Sequence, residues 1–307
     1  MTERTLEAKR AKAASWLSEP LPPVELSIEI FPTKTPEAGE RLWKNLELFV
    51  AAKPRFVSVT CGAGGTGESG TFPLATAVQE RFGVPVAAHL TCAYASRAEI
   101  DELLQRYWQQ GIRRIVALRG DPPKGVARYE PRPDGYAFAD DLVRGIRAVA
   151  QFDVSVGCYP ETHPEAPDAA FDLAHLRRKV EAGATRAITQ YCFDTDHILR
   201  FRDELVTAGI EVEYVPGIMP IHSFTQIKRF SAACGASIPA WLQSMFEGVE
   251  DSSPIHGMVA ASVASEQCRR LAAEGLTRMH VYALNRAELP LAIVHLLNAA
   301  RSLRDAA

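Results

Sequence analysis

The feature that most constrains the fold is a strict alternation between short β-branched or aromatic runs and amphipathic segments. Eight such runs occupy residues 24–31, 55–61, 84–90, 113–119, 152–159, 185–191, 210–216 and 278–284. Between them, apolar residues recur at intervals of three and four, the period of helices, at residues 37–52, 97–110, 141–150, 168–182 and 196–208. Alternation implies parallel strands joined by right-handed crossovers. Eight units favour an α/β fold closed into a (β/α)8 TIM barrel over an open doubly wound sheet.

Local punctuation agrees with this periodicity. Gly111, Gly183 and Gly209 each follow a predicted helix and precede the next strand, where a left-handed C-terminal cap belongs. The segment 224–273 is longer than one connection needs, so we expect two or three helices there. We expect residues 1–20 to form an extra N-terminal helix packed outside the barrel. Residues 21–307 are expected to form a single catalytic barrel domain, since such barrels commonly use about 250 residues as one unit.

Charge and cysteine usage exclude several classes of protein. The net charge is only -3 and the 34 basic residues are scattered, so a nucleic-acid partner is not expected. No run approaches the roughly 18 apolar residues of a membrane span, and the charged N-terminus is unlike a signal peptide. Six cysteines lie far apart without CxxC or a Cys/His cluster at ligand spacing. These features predict a cytoplasmic protein with reduced thiols, without membrane association and without a metal.

Polar side chains follow nearly every predicted strand. Catalytic groups of a parallel barrel come from the carboxyl ends of its strands, so these residues are expected to converge. Any one of them alone is more often a cap or a solvated loop residue. The strand-end residues are Glu29, Thr60, His89, Arg119, Asp121, Tyr159, Glu161, His163, Gln190, Asn285 and Arg286.

Glu29 is the most informative of these residues. It lies within Ser27-Ile28-Glu29-Ile30-Phe31-Pro32, where apolar neighbours imply partial burial. A buried carboxyl group has a raised pKa and can donate a proton near neutral pH. The structural alternative is a glutamate paired with a nearby arginine.

Two further stretches suggest ligand binding. Arg119-Gly120-Asp121 places a cation, a residue without a side chain and an anion directly after an apolar strand, although this tripeptide alone is usually a turn. On the helix after strand five, Asp172, His175, Arg178 and Lys179 share one face, which could meet a diphosphate and its ribose or could simply be solvated. No GxGxxG motif follows a strand, so a nucleotide would be held without the Rossmann device, as a flavin in a barrel would be.

Together these motifs resemble the methylenetetrahydrofolate reductase family, over residues 24 to about 296. The length is similar to that of the short bacterial form, which lacks the C-terminal regulatory domain of the eukaryotic enzymes. The resemblance rests on SIEIFP (27–32), FVSVT (56–60), AHLTC (88–92), LRGD (118–121), YPETHP (159–164), RKV (178–180) with GA (183–184), ITQ (188–190), PGIMP (216–220) and LNR (284–286).

The resemblance implies an FAD-dependent enzyme that reduces 5,10-methylenetetrahydrofolate to 5-methyltetrahydrofolate with NADH or NADPH, by ping-pong hydride transfer through the flavin. It also implies a homo-oligomer. Glu29 matches the family's general acid, and Asp121 the aspartate beside the flavin and the pterin, where its charge stabilises a cationic iminium. Gln190 matches a contact to folate and nicotinamide, and Thr60 a residue near the nicotinamide. The remaining matches to substrate contacts are Gln226, Phe230 and Arg286.

The positions that match FAD contacts are Cys61, Ala63, His89, Arg119, Gly120, Asp121, Ala139, Tyr159, His163, Asp172, His175, Arg178 and Lys179. The sequence departs from the family pattern at four positions. Cys61 and Phe138 stand where tyrosines are frequent, Ile30 where a phenylalanine is frequent and His175 where an asparagine is usual. Loss of the two tyrosine hydroxyls can weaken flavin retention or shift its potential.

Two other functions remain open at this point. One is a flavin-free barrel that binds reduced pterins, such as a methyl-folate corrinoid methyltransferase, which would be colourless. The other is a degenerate barrel that serves only as a binding scaffold, which the presence of Glu29, Asp121 and Gln190 argues against.

Overall fold

Parallel strands alternate with helices along the whole described part of the chain. The computed structural model describes residues 22–61, 70–121 and 129–302, so the predicted N-terminal helix and Ala63 lie outside the described residues. The strands are β1 (Glu25–Ile30), β2 (Val57–Val59), β3 (Val86–Thr91), β4 (Arg114–Leu118), β5 (Asp153–Cys158), β6 (Arg186–Thr189), β7 (Glu213–Val215), β8 (Gly217–Ile218) and β9 (Arg278–Tyr282). The helices are α1 (Pro36–Ala51), α2 (Thr71–Phe82), α3 (Arg97–Gln109), α4 (Ala139–Val149), α5 (Ala169–Glu181), α6 (Thr195–Thr207), α7 (Phe224–Cys234), α8 (Ala240–Phe246), α9 (Pro254–Ala273) and α10 (Glu288–Ser302).

The sheet closes on itself at Pro216. Its order is β7-β6-β5-β4-β3-β2-β1-β9-β8, with every pairing parallel. Because only Pro216 separates β7 from β8, the two ends of this order are one extended stretch that pairs with β6 and then with β9. The Pro216 carbonyl accepts a hydrogen bond from the His280 amide at 2.8 Å. The predicted (β/α)8 barrel is therefore confirmed, with β7 and β8 as its seventh strand.

The predicted boundaries mostly hold. Gly111, Gly183 and Gly209 adopt left-handed φ values of 80°, 115° and 64°, as expected of residues that end helices. The segment between β8 and β9 contains the three helices α7, α8 and α9. Among the described residues, no helix has the length and apolar character needed to cross a bilayer.

Alternation along each strand separates two apolar layers. Leu26, Ile28 and Ile30 of β1 are buried against the surrounding helices, while Glu25, Ser27 and Glu29 occupy the other face, inside the barrel. The middle of the interior is filled by an apolar cluster of Phe56, Ala87, Val116, Ile188 and Val215. This packed layer separates the two ends of the barrel.

The amino ends of the strands form a floor of ion pairs. The Glu213 carboxylate forms salt bridges with Arg55 at 2.5 Å, Arg186 at 2.8 Å and Arg278 at 3.1 Å. Arg186, with a side chain only 6% exposed, also reaches Asp153 at 3.3 Å. Because the charged groups at this end are paired with each other, we expect ligand-binding groups at the carboxyl ends of the strands.

Candidate active site

Glu29 lies at the carboxyl end of β1, between two imidazoles. Its Oε2 is 3.4 Å from Nε2 of His89 on β3 and 3.6 Å from Nε2 of His280 on β9. Burial raises the pKa of Glu29, but the hydrogen bond with His280 and the proximity of both imidazoles outweigh it, so the pKa lies below its ordinary value. The expectation of a raised pKa is therefore wrong in this structure. The ion-pair partners of Glu29 among the described residues are these two histidines, and the alternative of an arginine partner is not seen among them.

His89 is uncharged at neutral pH. Its side chain is 9% exposed, and burial, only partly offset by the charge of Glu29, lowers its pKa to about 4. The contact between His89 and Glu29 is therefore one between a neutral ring and a carboxyl group. Protonation of the pair occurs in an environment with little water to compete for the proton.

Buried hydroxyl groups orient His280. Its Nδ1 lies 2.7 Å from Ser27 Oγ and its Nε2 3.3 Å from Ser58 Oγ. On the same face of β9, the Tyr282 hydroxyl donates to the Thr189 carbonyl at 2.6 Å. Burial, followed by the nearby Glu29 carboxylate, raises the pKa of Tyr282, which keeps its proton. Hydrogen bonds thus hold the rings of His280 and Tyr282 in place beside Glu29.

A strained turn after β9 holds the end of β1. Leu284 and Asn285 adopt left-handed φ values of 51° and 57°, which are uncommon for residues other than glycine. The Asn285 side chain accepts from the Phe31 amide and donates to the Phe31 carbonyl, both at 2.9 Å. Asn45 donates to the Asn285 carbonyl at 2.7 Å. This bridge fixes the backbone two residues beyond Glu29.

The Arg119-Gly120-Asp121 stretch follows β4 at the rim. Arg119 makes a two-pronged ion pair with Glu165, at 2.5 and 3.0 Å, and stacks over the Tyr129 ring at 4.9 Å. Gly120 has a φ of 89°, and a Cβ there would meet Thr91 and Ala93 at 3.1 Å, so the position requires glycine. The Asp121 side chain is exposed, while its carbonyl accepts from the Tyr94 hydroxyl.

The predicted face of α5 turns toward the mouth. Asp172 accepts from the His163 amide at 2.8 Å, and Lys179 donates to the Gly157 carbonyl of β5 at 2.6 Å. Burial lowers the pKa of Lys179. The His175 ring packs near Phe171, at 5.0 Å between centroids. These contacts favour a binding face over a freely solvated one.

Gln190 and Phe230 close another side of the mouth. The Gln190 amide donates to Cys234 Sγ at 3.3 Å, and Cys234 donates to the Tyr191 hydroxyl at 3.3 Å. Phe230 is half-buried in a cluster that includes Tyr282. Gln226 lies in the first turn of α7. Arg286 is exposed and pairs loosely with Glu288 at 3.8 Å.

Most predicted site residues therefore share the carboxyl end of the barrel. Thr60 and Cys61 follow β2, Tyr159 and His163 follow β5 with ring centroids 4.5 Å apart, and Ala139 begins α4. Sequence reasoning missed Ser27, Ser58, His280 and Tyr282, which line the same interior. The signal was present, because MHVY (279–282) alternates apolar and polar residues, and a barrel strand turns every second residue inward.

The comparisons with known proteins agree with this geometry. Residues 22–298 match the family model described as methylenetetrahydrofolate reductase. The 5,10-methylenetetrahydrofolate reductase of Escherichia coli (strain K12) is 44% identical over 274 residues, 89% of this chain and 90% of that protein.

The chain belongs to the methylenetetrahydrofolate reductase family.

As a member of that family, it is one of the enzymes that reduce 5,10-methylenetetrahydrofolate to 5-methyltetrahydrofolate. A more distant relative, methylenetetrahydrofolate reductase (NADH) 1 of Arabidopsis thaliana, is 36% identical over 84% of this chain, which covers 46% of the plant protein. Among solved structures, an uncharacterized Clostridium thermocellum protein that binds two copies of 5-methyl-5,6,7,8-tetrahydrofolic acid covers 95% of this chain and 99% of its own. With a TM-score of 0.59 and 15% identity, it supports the barrel fold alone.

Proposed function

We propose that this methylenetetrahydrofolate reductase uses FAD and NADH or NADPH, with Glu29 as the general acid. The observation that carries the proposal is the Glu29 carboxyl group, held at the barrel mouth between His89 and His280 at 3.4 and 3.6 Å. Opening the methylene bridge of the substrate requires protonation of a folate nitrogen. A side chain that delivers a proton must be positioned first and have a suitable pKa second.

The residues at the mouth fit a flavin dinucleotide. Gly120 lets the backbone after β4 pack closely against Thr91 and Ala93, where any Cβ would be crowded. Arg178 and Lys179 provide cations for a diphosphate. His175 and Phe171 offer an aromatic surface beside them. Bound FAD would supply hydride transfer between the nicotinamide and the folate. The cofactor contacts inferred for the described residues remain part of this proposal, while Ala63 lies outside them.

The lowered pKa of Glu29 is compatible with a proton donor. Burial raises this pKa and the imidazole contacts lower it, so the balance depends on the remaining contact with water. The Glu29 side chain is 19% exposed. A substrate ring over the mouth removes that water, which strengthens the effect of burial and raises the pKa toward the range where a proton can be donated.

Other side chains take roles in binding and charge stabilisation. Asp121 places a negative charge at the exposed rim, where a cationic folate intermediate would be stabilised. Gln190 and Phe230 lie on the side of the mouth formed by β6 and α7, so they are suited to contact ligands that alternate there. Gln226, Thr60 and Arg286 complete the proposed set of substrate and nicotinamide contacts.

The test of this function uses Glu29→Gln. We expect folate reduction to fall by at least about 100-fold, the usual minimum contribution of a positioned proton donor. Oxidation of NADH with an artificial electron acceptor should be spared, because no folate nitrogen is protonated in that half-reaction. Steady-state rates of both reactions measure the two halves separately.

The matched control is Glu25→Gln, which makes the same change on the same strand and face but at the floor. It should leave both rates unchanged. Full folate reduction by Glu29→Gln would overturn the general-acid role. Purified protein should be yellow and release flavin on acid precipitation; colourless protein that does not take up FAD would instead favour a flavin-free pterin-binding barrel. Cytoplasmic location and homo-oligomerisation stay predictions of the sequence.

A further inference from the structure

Three potential metal ligands meet beside the mouth of the barrel. Glu161 lies in the loop after β5, Cys192 in the loop after β6 and His197 in the first turn of α6. One ligand atom from each, a carboxylate oxygen, Sγ and an imidazole nitrogen, lies within 4.8 Å of the other two. The proposed folate chemistry uses none of these three side chains.

His197 has an unused ligand atom within this group. Its Nδ1 is buried and makes no hydrogen bond to any residue that the structure describes, although it lies 3.6 Å from Glu161 Oε1. A buried ring nitrogen without a partner is unfavourable, since it has lost water without gaining a replacement. A cation at this point would be that replacement.

The other two ligands are also available. Glu161 accepts hydrogen bonds from the Ser237 amide, at 3.1 Å to Oε2, and from the Ser237 hydroxyl. A carboxylate has about four acceptor sites, so these bonds leave room for a metal. The Cys192 side chain is buried, and its thiol donates to the Asp194 carbonyl at 3.3 Å and contacts the Glu161 carboxylate.

The chemistry of the three groups selects the cation. One thiolate, one imidazole and one carboxylate are the ligands of zinc, whereas calcium and magnesium prefer oxygen alone. Zinc bonds of about 2.0–2.3 Å require ligand atoms roughly 3–4 Å apart, which small side-chain rotations reach from the observed spacing. Binding would release the Cys192 proton and leave a neutral centre, because the two anionic ligands balance the divalent cation.

We propose that Glu161, Cys192 and His197 form a three-ligand site for a zinc-class divalent cation, with a fourth position open to water. The site links the β5 and β6 loops to α6, next to Tyr159 and Gln190. It does not depend on the proposed role of Glu29. Sequence spacing gave no three-ligand motif because Glu161 comes from a different loop than Cys192 and His197.

The test measures zinc bound by the purified protein after removal of any histidine tag and dialysis against a weak chelator. We expect one equivalent per chain, and Co²⁺ in its place should give visible d–d bands at longer wavelength than flavin absorbance. His197→Asn, a change on a partly exposed helix face, and Cys192→Ser should each weaken zinc binding by at least about ten-fold.

The matched controls are His295→Asn, an exposed histidine of α10, and Cys268→Ser, a buried cysteine of α9. Both should bind zinc as the unaltered protein does. Failure of the unaltered protein to retain zinc at micromolar concentrations would overturn the proposal. So would equal zinc binding by the His197→Asn variant and the unaltered protein, which would indicate an ion bound elsewhere.

Discussion

A single side chain, Asn285, fixes the backbone beyond Glu29. Its side-chain amide makes the two hydrogen bonds that the backbone of a neighbouring strand would otherwise make, accepting from the Phe31 amide and donating to the Phe31 carbonyl at 2.9 Å each. The left-handed φ of 57° needed for this geometry is tolerated by asparagine better than by most residues. Asn285 is therefore a positioning residue in this structure, since it reaches the proposed acid only through the backbone.

We predict that Asn285→Gly destabilises the protein and slows folate reduction. Glycine keeps the left-handed backbone, so the change removes only the two hydrogen bonds, worth together about 1–3 kcal/mol in the free energy of unfolding. Folate turnover should fall about ten- to a hundred-fold, as expected for a displaced catalytic group, while NADH oxidation is spared. Urea unfolding and the two half-reaction rates measure these effects.

Asn298→Ala, on the exposed face of α10, is the control and should change neither quantity. Unchanged folate turnover in Asn285→Gly would show that the bridge to Phe31 does not position Glu29.

His222 should make the stability of the protein dependent on pH. Burial, with Arg286 nearby, lowers its pKa to about 4 from an ordinary 6.5, despite the opposing charge of Glu288. Between these values the unfolded chain carries a proton on His222 that the folded chain does not. The free energy of unfolding therefore falls as the pH drops from 6.5 toward 4, by up to about 1.4 kcal/mol per pH unit from this residue.

We predict that His222→Asn weakens the dependence of the free energy of unfolding on pH, because the unfolded variant has no imidazole at position 222 to take up a proton. Urea unfolding at several pH values between 4 and 7 should give a shallower slope for the variant than for the unaltered protein. His295→Asn, at an exposed position, should leave the slope unchanged. An identical slope in His222→Asn would mean that His222 does not contribute to the loss of stability in acid.

At the scale of elements, the sequence predicted helices and strands correctly where apolar residues recur at a regular interval. The residues 37–52 predicted as a helix lie within one residue of α1 (Pro36–Ala51), because apolar positions three and four apart select one helical face. Helix α2 was not predicted: its first turn, TFP (71–73), contains a proline, and only Ala75 and Val78 give a buried apolar spacing after it. The predicted strand 210–216 was also too long at its start and interrupted at its end, where Pro216 has no amide hydrogen for the ladder.

The candidate site divides in the same way. Glu29, His89 and Gln190 were predictable because strand ends of a barrel converge, which is a property of the topology. The direction of the Glu29 pKa was not, since it depends on His280, which is 251 positions away along the chain and lies beside it only after closure. The group of Glu161, Cys192 and His197 was not predicted either, because Glu161 comes from a different loop than the other two residues.

At the scale of the whole molecule, the ion-paired floor should determine stability without affecting catalysis. Glu213 accepts from Arg55, Arg186 and Arg278, and Arg186 is nearly inaccessible to water. We predict that Glu213→Gln lowers the free energy of unfolding by about 2 kcal/mol, because the buried guanidinium of Arg186 loses the nearer of its two carboxylate partners. Folate turnover at a temperature where the variant is folded should be unchanged, because the apolar middle layer lies between Glu213 and the mouth.

Glu25→Gln is the comparison, since its side chain is 50% exposed and an exposed ion pair contributes less than about 1 kcal/mol. Urea unfolding of both variants checks the difference. Equal, small losses of unfolding free energy in the two variants would show that the ion pairs of Glu213 stabilise the protein no more than exposed ones do.

The apolar layer of Phe56, Ala87, Val116, Ile188 and Val215 lies between the two ends of the barrel. Its Phe56 ring contacts Arg186 of the floor at 5.4 Å and stacks on His280 of the mouth at 5.8 Å. Substitutions that leave the Phe56 ring in place are therefore expected to alter one end with little effect on the other. Adaptation to heat would be sought by substitution at the strand origins, and altered substrate preference by substitution in the loops at the strand termini, so that the two properties can be combined in one chain.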